Sequence, residues 1–271
     1  MSPNRIVYKR WQLCDFHIHT DWSDGQLSVK EVIDLYGQYG FDIIAITDHI
    51  VDDDSLKEYR IWSQPAPAVL PEDFDRYLAT LRDMAYYAWE KYELLLIPGM
   101  EITNTSWKYH ILGLDIQSYI DPYLSVVQIL EHLKHQDALS VACHPFVRNH
   151  TRCNHSRYLS ENIDRFGELF DAWEVANRND LSNEIGLRGL NYIANSDFHE
   201  PSHLSSWKTL LLCEKNIESV KHAIRRNHGV SLYFYRQDQR EVFIEDRSEE
   251  IPEALSLLWS TEAYRSERYV K

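Results

Sequence analysis

The feature that most constrains this chain is the brevity of its apolar runs. The longest, such as Ile43–Ile46 and Leu94–Ile97, are the length of a β-strand and alternate with amphipathic segments of helical period. A short continuous apolar run suits a strand buried on both faces, since side chains pointing either way must meet a covering layer. Strand–helix alternation along a chain predicts an α/β fold, a parallel sheet covered by helices. No run approaches the ~20 residues of a membrane span. No internal repeat or low-complexity segment breaks the pattern, and residues 1–271 are expected to form a single domain.

Trp11–Phe16 reads as the first strand. A helix follows over Ser28–Gly40, with Val29, Val32, Ile33 and Tyr36 on one face, a capping box at Ser28 and Glu31, and Gly40 as its stop. Asp42–Thr47 reads as a buried strand. Residues 51–72 carry Pro65, Pro67 and Pro71 and are expected to form a lid or insertion. Pro71 opens a helix to Tyr92, with Phe74, Tyr77, Leu78, Leu81 and Ala85 inward. Leu94–Pro98 is the next strand, and Ile102–Thr105 pairs with Tyr109–Leu114 as a hairpin. Asp121 and Pro122 start a helix to His135. Leu139–Cys143, Asp171–Ala176, Tyr192–Asn195, Thr209–Cys213, Val230–Tyr235 and Glu241–Ile244 read as later strands. Helices are expected over Ser182–Leu190, after the Asn216 cap with Ile217, Val220 and Ile224 inward, and peripherally over Ile251–Tyr269.

Chemistry-bearing residues gather at the ends of these strands. The first ends Asp15-Phe16-His17-Ile18-His19-Thr20. Residues two apart in an extended strand share a face, so His17 and His19 can address one ion together. Asp24 follows in Ser23-Asp24-Gly25. Later strands end Thr47-Asp48-His49, Pro98-Gly99-Met100-Glu101, Cys143-His144-Pro145 and Asn195-Ser196-Asp197-Phe198-His199, and His110 sits on the hairpin. In a parallel α/β barrel the strand ends converge on one face. The donor set of imidazole and carboxylate suits Zn, Mn or Fe.

Taken in order, the blocks at 15–20, 23–25, 47–49, 98–101, 144–145 and 196–199 resemble the PHP (polymerase and histidinol phosphatase) superfamily. The resemblance implies a distorted (β/α)7 barrel and a trinuclear metal site with a full ligand set. One ion would take His17, His19, Glu101 and Asp197. A second would share Glu101 and add His110 and His144. A third would take Asp24, His49 and His199. It further implies hydrolysis of a phosphate ester, on a small phosphorylated metabolite or nucleotide, by a metal-activated hydroxide. A short-oligonucleotide exonuclease, a histidinol-phosphate phosphatase and a non-catalytic metal-stabilised module are the alternatives.

Arg148, in His-Pro-Phe-Val-Arg, is expected to grip substrate phosphate and serve catalysis, since a guanidinium offers phosphate two parallel hydrogen bonds. Asp15 and Asp48 are expected to orient imidazoles by accepting their free N–H. His150, His155, Arg152 and Arg157 could line an anion pocket, His203 the rim, and Trp62 and Trp107 a base-stacking surface. His132, His135, His222 and His228 read as solvated.

The net charge is −14 and no basic stripe is visible, which argues against gripping long duplex nucleic acid. Three divalent ions would add six positive charges locally, so an anionic small substrate remains compatible. The four cysteines, Cys14, Cys143, Cys153 and Cys213, are far apart and read as reduced thiols. Met1–Arg10 has no signal-type apolar segment. These features together place the chain in the cytoplasm, with no membrane partner; they leave its oligomeric state open.

Overall fold

The computed structural model describes residues 10–52, 68–104, 106–146 and 157–237. By contacts the chain divides into Met1–Tyr235 and Arg236–Lys271, and all the described strands and helices belong to the first unit. The expected strand at 241–244, the helix at 251–269 and most of the expected lid lie outside the described residues. No helix among those described is long and apolar enough to cross a membrane.

Among the described residues eleven strands form one sheet: β1 (Arg10–Asp15), β2 (Ile43–Ile46), β3 (His49–Val51), β4 (Leu95–Asn104), β5 (Tyr109–Leu114), β6 (Leu139–Ala142), β7 (Ala172–Asn177), β8 (Asp180–Leu181), β9 (Tyr192–Asn195), β10 (Trp207–Cys213) and β11 (Val230–Phe234). The order is β11-β10-β1-β2-β4-β5-β6-β7-β8, with β3 on β4 and β9 on β7. The sheet is mixed rather than parallel as the alternation suggests. The β1–β2, β2–β4, β3–β4, β6–β7 and β7–β9 pairs are parallel, but β4–β5, β5–β6, β7–β8, β10–β1 and β10–β11 are antiparallel. Short hairpin connections at β4–β5 and β7–β8 reverse the chain without room for a crossover helix.

The sheet curls back on itself. An isolated parallel bridge joins Ile18, just past β1, to Phe198, just past β9. One buried apolar cluster joins Cys14, Phe16, Ile43, Ala45, Ile97, Leu112, Val141, Ala172 and Ile193 across the strands, all at most 1% exposed. Burial of each larger aliphatic side chain contributes about 1.5–3 kcal/mol.

Helix α1 (Val29–Gln38) carries the expected capping box at Ser28 and Glu31, and buries Val29, Val32, Ile33 and Tyr36. Helix α2 (Phe74–Tyr92) is entered through a 3₁₀ turn at Pro71–Asp73 and buries Ala88, whereas Ala85 is only partly covered. Gly37 lets the two helices touch, because a Cβ there would lie 2.3 Å from the Tyr92 ring.

Helix α3 (Val126–His135) starts later than Asp121-Pro122 suggests. Ser125 and Gln128 close a capping box, while Asp121 Oδ1 accepts from the Tyr123 N–H and the Pro122 carbonyl accepts from Asn104 and Tyr109. The helix expected over 182–190 is reduced to Glu184–Leu187, ending before Gly189 at φ +71°. Helix α4 (Ile217–Arg226) has the expected Asn216 cap.

Candidate metal centre

Three ligand candidates, His49, Glu101 and His110, lie on the sheet strands β3, β4 and β5, and the others on segments that follow strands. Beyond β1 the chain stays extended: the His19 N–H donates to the Phe198 carbonyl at 2.8 Å, the Phe198 N–H to the His17 carbonyl at 3.0 Å, and the Thr47 N–H to the Ile18 carbonyl at 2.8 Å. Alternation then sends Ile18 into the core and both histidines to the opposite side. His17, Ile18 and His19 are fully buried. His49 is the cross-strand partner of Glu101. Glu101 lies inside β4, which runs on to Asn104 instead of ending at the motif, because β5 continues to pair with it.

The nine expected ligands converge in four overlapping groups whose donor atoms lie within 4.8 Å of one another. These are His19, Asp24, His49 and His199; His17, Glu101 and His144; His17, His19 and Asp197; and His49, Glu101 and His110. Glu101 links the groups. Its Oε2 is 3.2 Å from both His17 Nε2 and His19 Nε2, and its Oε1 is 2.6 Å from His110 Nδ1 and 3.5 Å from His144 Nε2. Asp197 Oδ1 lies 3.5 Å from His17 Nε2 and His19 Nε2. Asp24 Oδ1 lies 3.3 Å from His199 Nε2 and 3.7 Å from His49 Nε2.

These residues fit divalent cations. Two donors each ~2.1 Å from a tetrahedral ion sit roughly 3.4 Å apart, the range seen here. His17 Nε2, both His19 ring nitrogens and Glu101 Oε2 are buried and make no hydrogen bond among the described residues despite their proximity. Leaving such atoms unsatisfied costs about 1–3 kcal/mol each, which a bound cation would offset. The backbone is also strained here: His144 and Asp197 have φ of +26° and +51°, conformations that persist at functional sites.

The electrostatics point the same way. Burial lowers the basicity of His17, but Glu101, Glu174 and Asp197 outweigh it and hold the ring well above its ordinary pKa. His19, also opposed by burial, is pushed up to about 10 by Asp197 and Glu101. His49 is pulled down to about 3, burial outweighing Glu101. Burial opposes ionisation of Glu101, yet His17, His49 and His110 keep it well below the usual carboxylate range. The carboxylates thus stay ionised and demand positive charge, from protons on imidazoles or from metal.

Two residues that the motifs do not reveal complete the centre. Glu174, buried in β7, accepts from His17 Nδ1 at 2.8 Å, from the His144 N–H at 2.7 Å, from Asn195 at 2.8 Å and from Asn177 at 3.0 Å. By accepting from Nδ1 it leaves Nε2 as the His17 nitrogen that faces Glu101 and Asp197. The one signal in the sequence is a lone acid inside an apolar strand. Arg178, directly after β7, reaches Asp197 Oδ2 at 3.3 Å.

The roles expected of Asp15 and Asp48 are corrected: among the described residues, neither accepts a hydrogen bond from an imidazole. Asp15 accepts from the Tyr36 hydroxyl and from the Ser196 N–H and hydroxyl, and pairs with the buried Lys208 at 3.1 Å. Asp48 accepts from the Thr20 N–H and hydroxyl and the Ser23 hydroxyl, holding the loop between His19 and Asp24.

His203 lies beside His199 and accepts its N–H through Nδ1 at 3.1 Å. Burial, with Arg178 and His199 nearby, lowers its pKa to about 4, so at neutral pH it is an uncharged acceptor. Arg148, His150, Arg152, His155 and Trp62 lie outside the described residues. Trp107 is exposed and packs its ring against Tyr158 at 5.8 Å, and Arg157 pairs with Glu161 on the surface. His132, His135, His222 and His228 join none of the metal-binding groups.

A curled mixed sheet carrying a buried multi-histidine, multi-carboxylate centre defines a class of metal-binding α/β domains. The sequence model of the PHP domain matches residues 15–254, and the chain belongs to the PHP family. Among solved structures, it is similar to a two-domain protein from Bacteroides vulgatus containing a predicted PHP-like metal-dependent phosphoesterase. Identity there is 22% over 89% of this chain and 73% of that one, with a TM-score of 0.61. An amidohydrolase from Chromobacterium violaceum, with bound sulfate and no metal, is 15% identical over 69% of this chain and 88% of that one, with a TM-score of 0.47. No curated protein matches the chain significantly.

Proposed function

We propose that this chain hydrolyses a phosphate ester of a small metabolite or nucleotide, using two or three divalent ions (Zn, Mn or Fe) held by His17, His19, Asp24, His49, Glu101, His110, His144, Asp197 and His199. The observation that carries the reading is the convergence of these side chains around Glu101, whose two oxygens face different histidines. A carboxylate so placed suits two ions about 3.5–4 Å apart. Bound ions would lower the pKa of water toward ~7 and neutralise charge on phosphoryl oxygens, the two obstacles in attack on an anionic ester. The chain's own residues do the holding. Glu101 and Asp197 supply ionised oxygens, Glu174 orients His17, and Asp48 fixes the loop carrying Asp24. The scaffold suits a distorted (β/α)7 barrel, since β1, β2, β4, β5, β6, β7 and β9 follow one another around the curl.

The test is turnover of p-nitrophenyl phosphate with added Mn or Zn, followed by a screen of phosphorylated metabolites. His17→Ala and Asp197→Ala are expected to lose activity at least ~100-fold, beyond the usual effect of losing a ligand's supporting partner. Absence of turnover on every phosphoester at full metal loading would refute the reading.

A further inference from the structure

Arg178 has an unusual combination of position, backbone and partners. It is the first of two residues turning β7 into β8, where Asn177 pairs with Asp180. Its φ is +49°, in the left-handed region that a two-residue hairpin normally fills with Gly or Asn. Arginine is a poor choice for the turn, so its presence there points to the side chain.

That side chain lies along the edge of the metal centre. Its Nη2 is 3.3 Å from Asp197 Oδ2, from the Asp197 carbonyl and from His199 Nδ1. Asp197 therefore turns Oδ1 to the histidines and Oδ2 to the guanidinium. The contact leaves much of the guanidinium uncommitted. Its Nε is buried and has no hydrogen-bond partner among the described residues, while 27% of the side chain remains exposed. A cation held one carboxylate's width from the metal-binding donors, with donor capacity to spare, is placed to meet an anion that approaches those donors from solvent.

We propose that Arg178 is a substrate-binding residue: it takes a phosphoryl oxygen of the ester while Asp197 takes metal. The assignment rests on the proposed phosphoesterase activity and names a contact within that same site. It gives the phosphoryl group a fixed positive partner on a β-hairpin, independent of the 147–156 segment in which Arg148 lies. The planar fork can serve Asp197 and a phosphoryl oxygen together, which lysine's single ammonium does less well.

The turn supplies the discriminating variant. Arg178→Gly removes the side chain and suits the positive φ, so folding should be retained and Tm unchanged or raised. The experiment measures inorganic phosphate binding by calorimetry to the metal-loaded chain, wild type against Arg178→Gly and Arg178→Lys, with metal content read by elemental analysis. The glycine variant is expected to bind phosphate roughly 10- to 100-fold more weakly, the loss of one hydrogen bond between charged groups, at unchanged metal stoichiometry; lysine should restore part of the affinity. Equal phosphate affinity in wild type and Arg178→Gly, or a loss that merely tracks falling metal content, overturns the assignment. With the wild type still turning over a phosphoester, that result leaves the proposed function standing. A metal-loaded wild type that neither binds phosphate nor turns over any ester overturns both.

Discussion

Replacing Glu174 with glutamine separates the support of the centre from the centre itself. Each Glu174 oxygen accepts two hydrogen bonds: Oε1 from His17 Nδ1 and Asn195 Nδ2, Oε2 from the His144 N–H and Asn177 Nδ2. An amide has nearly the same shape but presents an NH₂ where one oxygen was. Whichever way it is turned, two donors then face a donor. At about 1–3 kcal/mol per buried hydrogen bond lost, the change should destabilise the fold by about 2–6 kcal/mol. In a domain of this size each kcal/mol lowers Tm by roughly 2–4 °C. Either His17 or the backbone at His144 also loses its anchor, so metal affinity should fall about 10–100-fold, as it does when a ligand's orienting partner is removed. The assay is zinc titration against a competing chelator, with Tm read in parallel on the metal-free protein. Affinity within about two-fold of wild type, in a variant that remains folded, would refute the claim that Glu174 sets the His17 geometry.

Two further outcomes can be checked on the same protein. A Cβ at Gly25 would lie 2.3 Å from the His19 carbonyl oxygen, so Gly25→Ala should displace the Asp24 loop and weaken metal binding by about 10-fold or more; unchanged stoichiometry and affinity would show that the loop yields instead. In the metal-free protein, the raised pKa values of His17 and His19 stabilise the fold fully below the unfolded value of about 6.5, and that contribution is lost as pH rises through the folded value, about 10 for His19. His49 and His110, whose values are lowered, are neutral in both states above ~6.5 and do not offset the loss. Tm without metal should therefore decline from pH 7 to 10 while the manganese-loaded form holds, widening the gap between them; parallel curves would contradict this electrostatic reading.

How far the sequence could be read depended on the range of the interaction concerned. The capping box at Ser28 and the inward stripe of α1 are set within a few residues, and they form as read. So do the alternating faces of His17, Ile18 and His19. The hairpin of Ile102–Thr105 with Tyr109–Leu114 also forms as read, whereas the antiparallel pairing of β5 with β6 and of β10 with β1 was not legible, because it is decided by partners distant in the chain. The start of α3 was missed for a different reason: Asp121-Pro122 and Ser125–Gln128 are both plausible openings, and only the second closes a reciprocal cap. Glu174 and Arg178 carry no motif. Their roles come from His17, Asn195 and Asp197, which reach them from other strands.

The motifs contain two kinds of residue, and their division explains a lysine outside all of them. His17, His19, His49, Asp197 and His199 face the centre, while Asp15, Thr20, Asp48 and Ser196 tie the presenting segments together. The segment carrying His17 and His19 lies beyond the β1 ladder, so its place depends on these ties. Asp15 does this from a fully buried position, where an unpaired carboxylate would cost several kcal/mol. Lys208, equally buried on β10, stands 3.1 Å away and supplies the opposite charge. Burial works to strip its proton, and Asp15 works to keep it. A lysine in the core of an apolar strand is thus a consequence of placing Asp15 behind the HxH segment. Strand β10, which contributes no ligand and lies between β1 and β11, is coupled through it to the geometry of the metal centre.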